Sequence, residues 1–150
     1  MALDDDIAIL AAAPVFGLFG RDALRLLTFA AERRSLDAGD LLFARGAPAD
    51  GGFVVMSGTI ELAPRAAGAE PVTAERSALI GRLALLVRGE RPSDARARTP
   101  AEVMRITPTL MRRVLEEFPD AAAAIHDALA EDLSGLSRNL ERVRGLFEPG

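Results

Sequence analysis

Between Arg33 and Ile106 the chain never runs far before a turn residue interrupts it, and this limits the fold more than any other feature. Eight short runs can be read there: Arg33 to Asp37, Leu41 to Ala44, Gly52 to Met56, Thr59 to Ala63, Pro71 to Ala74, Ala78 to Ile80, Asp94 to Ala97 and Ala101 to Ile106. Between them stand Ala38-Gly39-Asp40, Gly46, Pro48, Asp50-Gly51-Gly52, Ser57-Gly58, Pro64 and Gly68. Short strands at a spacing of roughly 8 to 12 residues predict a sandwich, jelly roll or barrel, not a parallel sheet with crossover helices. The glycines between apolar runs are where turns with positive φ want them, and they speak for fold rather than ligand.

Helical periods flank this segment. Asp4, Asp5 and Asp6 open a helix carrying Ile7, Ile9 and Leu10, which Pro14 stops. A second helix is expected from Arg21 to Glu32, with Leu24, Leu27 and Ala31 at helical spacing and Leu26 and Thr28 broadening the stripe. The apolar stretch from Ile7 to Gly20 follows acids rather than bases and is broken by Pro14. It also falls short of the roughly 20 residues that cross a bilayer, so neither a signal peptide nor a membrane partner is expected. Thr107 is a natural N-cap before Pro108, opening a helix to Phe118, and Pro119 opens another.

That last helix is expected to be long. Ile125, Leu129, Leu133, Leu136, Leu140, Val143 and Phe147 follow one another at steps of four, four, three, four, three and four. From Leu129 onward the alternation is that of a two-helix seam, although Gly135 and Gly145 weaken the helix. The stripe can pack on the chain's own β-domain or on a second copy. Six seam residues at about 1.5 to 3 kcal/mol each, given by each of two chains, exceed an association cost of about 4 to 15 kcal/mol, so a homodimer is expected. His126 falls near the upper end of the seam and is read as a solvated or edge histidine.

Composition removes many functions. Cysteine is absent, so there is no disulfide, thiolate metal site or thiol nucleophile, and a cytoplasmic location is expected. All 18 basic residues are arginine, which removes lysine chemistry, and the single His126 cannot make a multi-histidine metal centre. No metal, cofactor or enzymatic activity is expected, and a jelly-roll metalloenzyme is disfavoured for the same reason. The net charge of −4, with arginines spread among 22 acids, argues against nucleic acid as a partner.

Two stretches carry a family likeness. Leu36-Asp37-Ala38-Gly39-Asp40-Leu41-Leu42-Phe43 leads into Arg45-Gly46-Ala47-Pro48-Ala49-Asp50-Gly51-Gly52-Phe53-Val54-Val55-Met56-Ser57-Gly58-Thr59-Ile60. This order of turns and apolar strands resembles the first half of a cyclic nucleotide-binding domain. Downstream, Leu79-Ile80-Gly81-Arg82-Leu83-Ala84-Leu85-Leu86 resembles that family's phosphate-binding cassette, and Arg91 falls where the cassette arginine is expected. The resemblance implies a mainly β, α+β fold: a β-roll or jelly roll with N-terminal helices and a long C-terminal helix. It organises the chain as one domain over residues 1–150, with helices in 1–32, the β-roll in 33–106 and C-terminal helices in 107–147.

The ligand expected from the resemblance is a cyclic nucleotide or another phosphate, held by Gly81, Arg82, Leu83, Ala84, Arg91 and Ser93, with Asp94 beside them. Physically, Gly81 opens a short helical turn whose free N–H groups suit an anion, and Arg91 would complete the site. Arg82 stands where the family has a glutamate that accepts from the ribose 2′-hydroxyl. Asp94 stands where a serine or threonine helps hold the phosphate. Either Asp94 pairs with Arg82 or Arg91 and fills the pocket from within, or the two arginines favour a more highly charged anion. Only Glu148, Pro149 and Gly150 follow Phe147, so the expected output is dimerisation or a separate effector protein.

Overall fold

The computed structural model describes residues 2–64, 68–85, 88–128 and 130. Three helices and ten strands follow one another: α1 (Ala2–Ala11), α2 (Arg21–Ala30), then β1 (Glu32–Leu36), β2 (Leu41–Phe43), β3 (Pro48–Ala49), β4 (Gly52–Ser57), β5 (Ile60–Leu62), β6 (Val72–Ala74), β7 (Leu79–Ile80), β8 (Gly89–Glu90), β9 (Ala95–Ala97), β10 (Ala101–Ile106) and α3 (Pro108–Glu117). Residues 119–128 form a further helix, α4. Single 3-10 turns cover Phe16–Leu18 and Arg82–Leu85.

The strands pair antiparallel into two four-stranded sheets, ordered β1-β10-β4-β7 and β2-β9-β5-β6, with β3 and β8 as a separate two-stranded ribbon. Between the sheets lies one core, with Leu42, Phe53, Val55, Ile60, Ala95, Ala97 and Val103. A second core lies between the first sheet and the helices, where Val54, Met56, Met104 and Ile106 meet Leu10, Phe16, Leu27, Met111, Val114 and Ile125. Strand β4 therefore feeds both cores: Phe53 and Val55 turn into the roll, Val54 and Met56 toward the helices. A strand covered on both faces reads as an unbroken apolar run, which is why Phe53-Val54-Val55-Met56 shows no alternation.

The structure departs from the expected elements at the end of α2 and in one extra pair of strands. The second helix ends at Ala30 rather than Glu32, because Ala31 is extended (φ −73°, ψ 144°) and Glu32 is already paired with Arg105 of β10. Burial follows: Ala23, Leu24, Leu27 and Thr28 are covered, and Ala31 is not part of the helix. Strands β3 and β8 were not expected, since two residues are too few to show alternation. Thr107 caps α3 as anticipated, its Oγ1 accepting from the Leu110 N–H at 3.1 Å with Pro108 at the first turn. The seam residues Leu129, Leu133, Leu136, Leu140, Val143 and Phe147 lie outside the described residues. No helix among the described residues is long and apolar enough to cross a membrane.

Candidate functional site

Strand β7 brings Gly81 to the mouth of the roll, where the chain turns with φ +78° into the 3-10 turn Arg82–Leu85 and returns along β8 to Arg91. The ribbon of β3 and β8 fixes that return. The Arg91 N–H donates to the Ala47 carbonyl at 2.8 Å, and the Gly46 N–H donates to the Arg91 carbonyl at 2.9 Å. The side chain then turns inward: at 5% exposure, Arg91 is the one buried charged residue among those described.

Its guanidinium lies over the ring of Phe43 at 4.5 Å and within 5.4 Å of the Phe53 ring centroid, a cation-π arrangement inside a largely apolar wall. Nη2 donates to the Gly51 carbonyl at 2.8 Å. Nε is buried and has no hydrogen-bond partner among the described residues. Burial pushes the Arg91 pKa below its ordinary value, the nearby charge of Arg105 adds to that, and Asp50 opposes it. The group remains a cation, as arginine does in proteins. A buried cation with a vacant donor and no carboxylate hydrogen-bonded to it among the described residues is costly to maintain, and an oxyanion is the chemical species that satisfies both needs.

Gly81 and Arg91 are in contact, as the sequence implies. A Cβ on Gly81 would stand 2.6 Å from Arg91 Nη1, so only glycine leaves room for the guanidinium there. The other expected residues divide. Ala84 is buried beneath the site, but its N–H is spent on the Gly81 carbonyl at 3.0 Å, so the turn offers fewer open amides than an isolated helix start. Arg82 and Leu83 lie on the same turn, and Arg82 is partly exposed. Ser93 is buried two residues beyond Arg91. His126 is exposed and lines a cavity of about 310 Å³ with Leu85 and Arg112, away from Arg91.

Asp94 behaves differently from the pairing considered for it with Arg91. Its Oδ1 accepts from the Arg45 N–H at 2.6 Å and its carbonyl accepts from the Ala63 N–H at 3.0 Å. The carboxylate thus fastens the turn between β2 and β3 to the start of β9, while Gly51 and two rings hold Arg91. Sequence reasoning did not assign Phe43, Phe53, Gly51 or Arg105 to the site. Phe53 and Arg105 are cross-strand partners on β4 and β10, a relation that appears only once the register is known.

A sequence model of the cyclic nucleotide-binding domain matches residues 33–118. The chain belongs to that family. A cyclic nucleotide-binding-like protein from Brucella abortus is similar to it at 39% identity, with a TM-score of 0.66, over 75% of this chain and 99% of the other. The N-terminal domain of a transcriptional regulator from Streptomyces coelicolor superposes with a TM-score of 0.77 at 24% identity, over 88% and 94% of the two chains. The regulatory domain of PKA from Toxoplasma gondii, solved with cAMP, superposes at 0.68 and 16% identity, over 75% of this chain and 44% of that one. A search of curated proteins finds no match. The fold is therefore the β-roll of cyclic nucleotide-binding domains, which are typically regulatory and non-catalytic. No cluster of three or more metal-ligating side chains occurs among the described residues.

Proposed function

We propose that this domain is a non-catalytic regulatory module that takes a cyclic nucleotide, or a related phosphate, against Arg91 and signals through a helical homodimer. One observation carries the reading: a buried guanidinium whose Nε has no partner among the described residues, set beside a glycine whose missing side chain makes room for it. The edge formed by Nε and Nη2 matches two oxygens of a phosphate, and each charge-assisted hydrogen bond there contributes about 1.5 to 3 kcal/mol. Membership of the family supports the ligand class, and a structural neighbour is bound to cAMP. Arg82 in place of an acidic residue favours the phosphate end of such a ligand over its ribose hydroxyl.

A second reading has its own observation. Arg91 already donates to Gly51 and rests on Phe43, so the pocket is partly filled by its own arginine, and a domain closed in this way would act as an interaction module. Titration calorimetry separates the two. Sensing predicts saturable micromolar heat with cAMP, cGMP or a simpler phosphate, lost in Arg91→Gln. Absence of heat with all of them supports the closed module.

A further inference from the structure

The turn Asp50-Gly51-Gly52, which joins β3 to β4, stands between Arg91 and the start of α3, with no slack on either side. Gly51 (φ +111°) faces the end of β10: a Cβ there would lie 2.5 Å from the Ile106 carbonyl oxygen and 3.1 Å from Thr107 Cα. Gly52 faces inward, where a Cβ would meet the Leu85 side chain at 3.1 Å and the Ile80 and Gly81 carbonyls at 3.2 Å. Two arginines grip successive carbonyls of this turn. Arg91 Nη2 holds the Gly51 oxygen from within the roll at 2.8 Å, and Arg105 Nη2 holds the Asp50 oxygen from the rim at 3.1 Å. Immediately beyond Ile106, Thr107 caps α3 through the Leu110 and Met111 N–H groups, at 3.1 and 2.9 Å.

We propose that this turn is the transmitter of the site: an anion on Arg91 draws the guanidinium off the Gly51 carbonyl, and the released turn loosens the cap of α3. The proposal rests on Arg91 being the anion site. The physical reason is competition for one donor edge. Nη2, now given to a neutral carbonyl, lies next to the unpartnered Nε, and an oxyanion that takes Nε engages the same edge. Because packed glycines leave no room to absorb a shift, movement of Gly51 is passed to Ile106 and Thr107 rather than dissipated. The signal thereby reaches α3 from the strand side of the roll, by way of Gly51 and the end of β10.

Amide hydrogen exchange on the full chain tests this without a ligand. Arg91→Gln removes the grip on Gly51, so exchange at Leu110 and Met111 should rise about tenfold while Glu61 and Thr73, on the distant β5–β6 pair, keep their rates. Phe43→Leu, which leaves the Gly51 bond in place, should not reproduce that local change. No rise at α3, or an equal rise everywhere, overturns the proposal. If Arg91→Gln fails to fold, Arg91→Lys, which keeps the charge but loses the fork, serves for the same comparison. With cAMP or inorganic phosphate added to the native chain, binding heat accompanied by faster exchange at Leu110 supports it. Heat without that change refutes the transmission and leaves the binding reading standing. If neither compound gives heat, the binding reading fails, and with it the anion step proposed here.

Discussion

At the scale of single residues, the site is organised by what glycine omits and what arginine presents. Gly81 is held at φ +78° with Arg91 Nη1 2.6 Å from where a Cβ would stand. Gly81→Ala should therefore cost about 1 to 2 kcal/mol through left-handed backbone strain alone, and should also displace the guanidinium. Chemical denaturation would show the first effect and titration with cAMP the second. Asp94 makes a separate prediction. Since its Oδ1 accepts a backbone N–H, Asp94→Ala should lose about 1 to 2 kcal/mol of stability, while Asp94→Asn, which keeps an acceptor, should lose less. A carboxylate bound instead to Arg91 would make Asp94→Asn, which removes the charge, about as costly as Asp94→Ala. Gly81 and Arg91 were legible in the sequence because the residues around them resemble a known cassette. Phe43 and Phe53 were not, because a ring in a strand reads as core, and its place beneath a cation is fixed by the closure of the roll.

Among the elements, β4 and α3 show why some boundaries were readable and others not. The end of β10, the N-cap at Thr107 and the start of α3 are written locally, by a threonine, a proline and an apolar strand in sequence. Thr107→Ala should destabilise the chain by about 1 kcal/mol, read as a shift in the denaturation midpoint, with Thr107→Ser close to native. Strands β3 and β8 have no such local mark. They exist because Pro48 and Ala49 meet Glu90 and Gly89 across the chain, and that meeting sets the backbone of Arg91. The early end of α2 has the same origin, since pairing of Glu32 with Arg105 overrides a helical period that continues through Ala31. Arg33 then ties the elements together, donating to Asp6 of α1 and to Glu102 of β10.

Across the whole molecule, two cores share one strand pair, β4 and β10, so the interior of the roll and the helical layer cannot move independently. This is the architecture a regulatory domain needs, and the Gly51 turn lies where the two layers join. The proposed output is the helical seam of Leu129, Leu133, Leu136, Leu140, Val143 and Phe147. Leu136→Glu would place a charge at its centre, and sedimentation equilibrium should then show monomers where the native chain gives dimers. A native chain that sediments as a monomer would remove the seam from the account. The vacant donor of Arg91, on which both the proposed site and its transmission depend, can be watched directly. In a ¹⁵N-labelled sample the Arg91 Nε–H resonance should move downfield as cAMP or inorganic phosphate is added and takes up that donor. An Arg91 Nε–H signal that stays unmoved at millimolar concentrations of both would contradict the account.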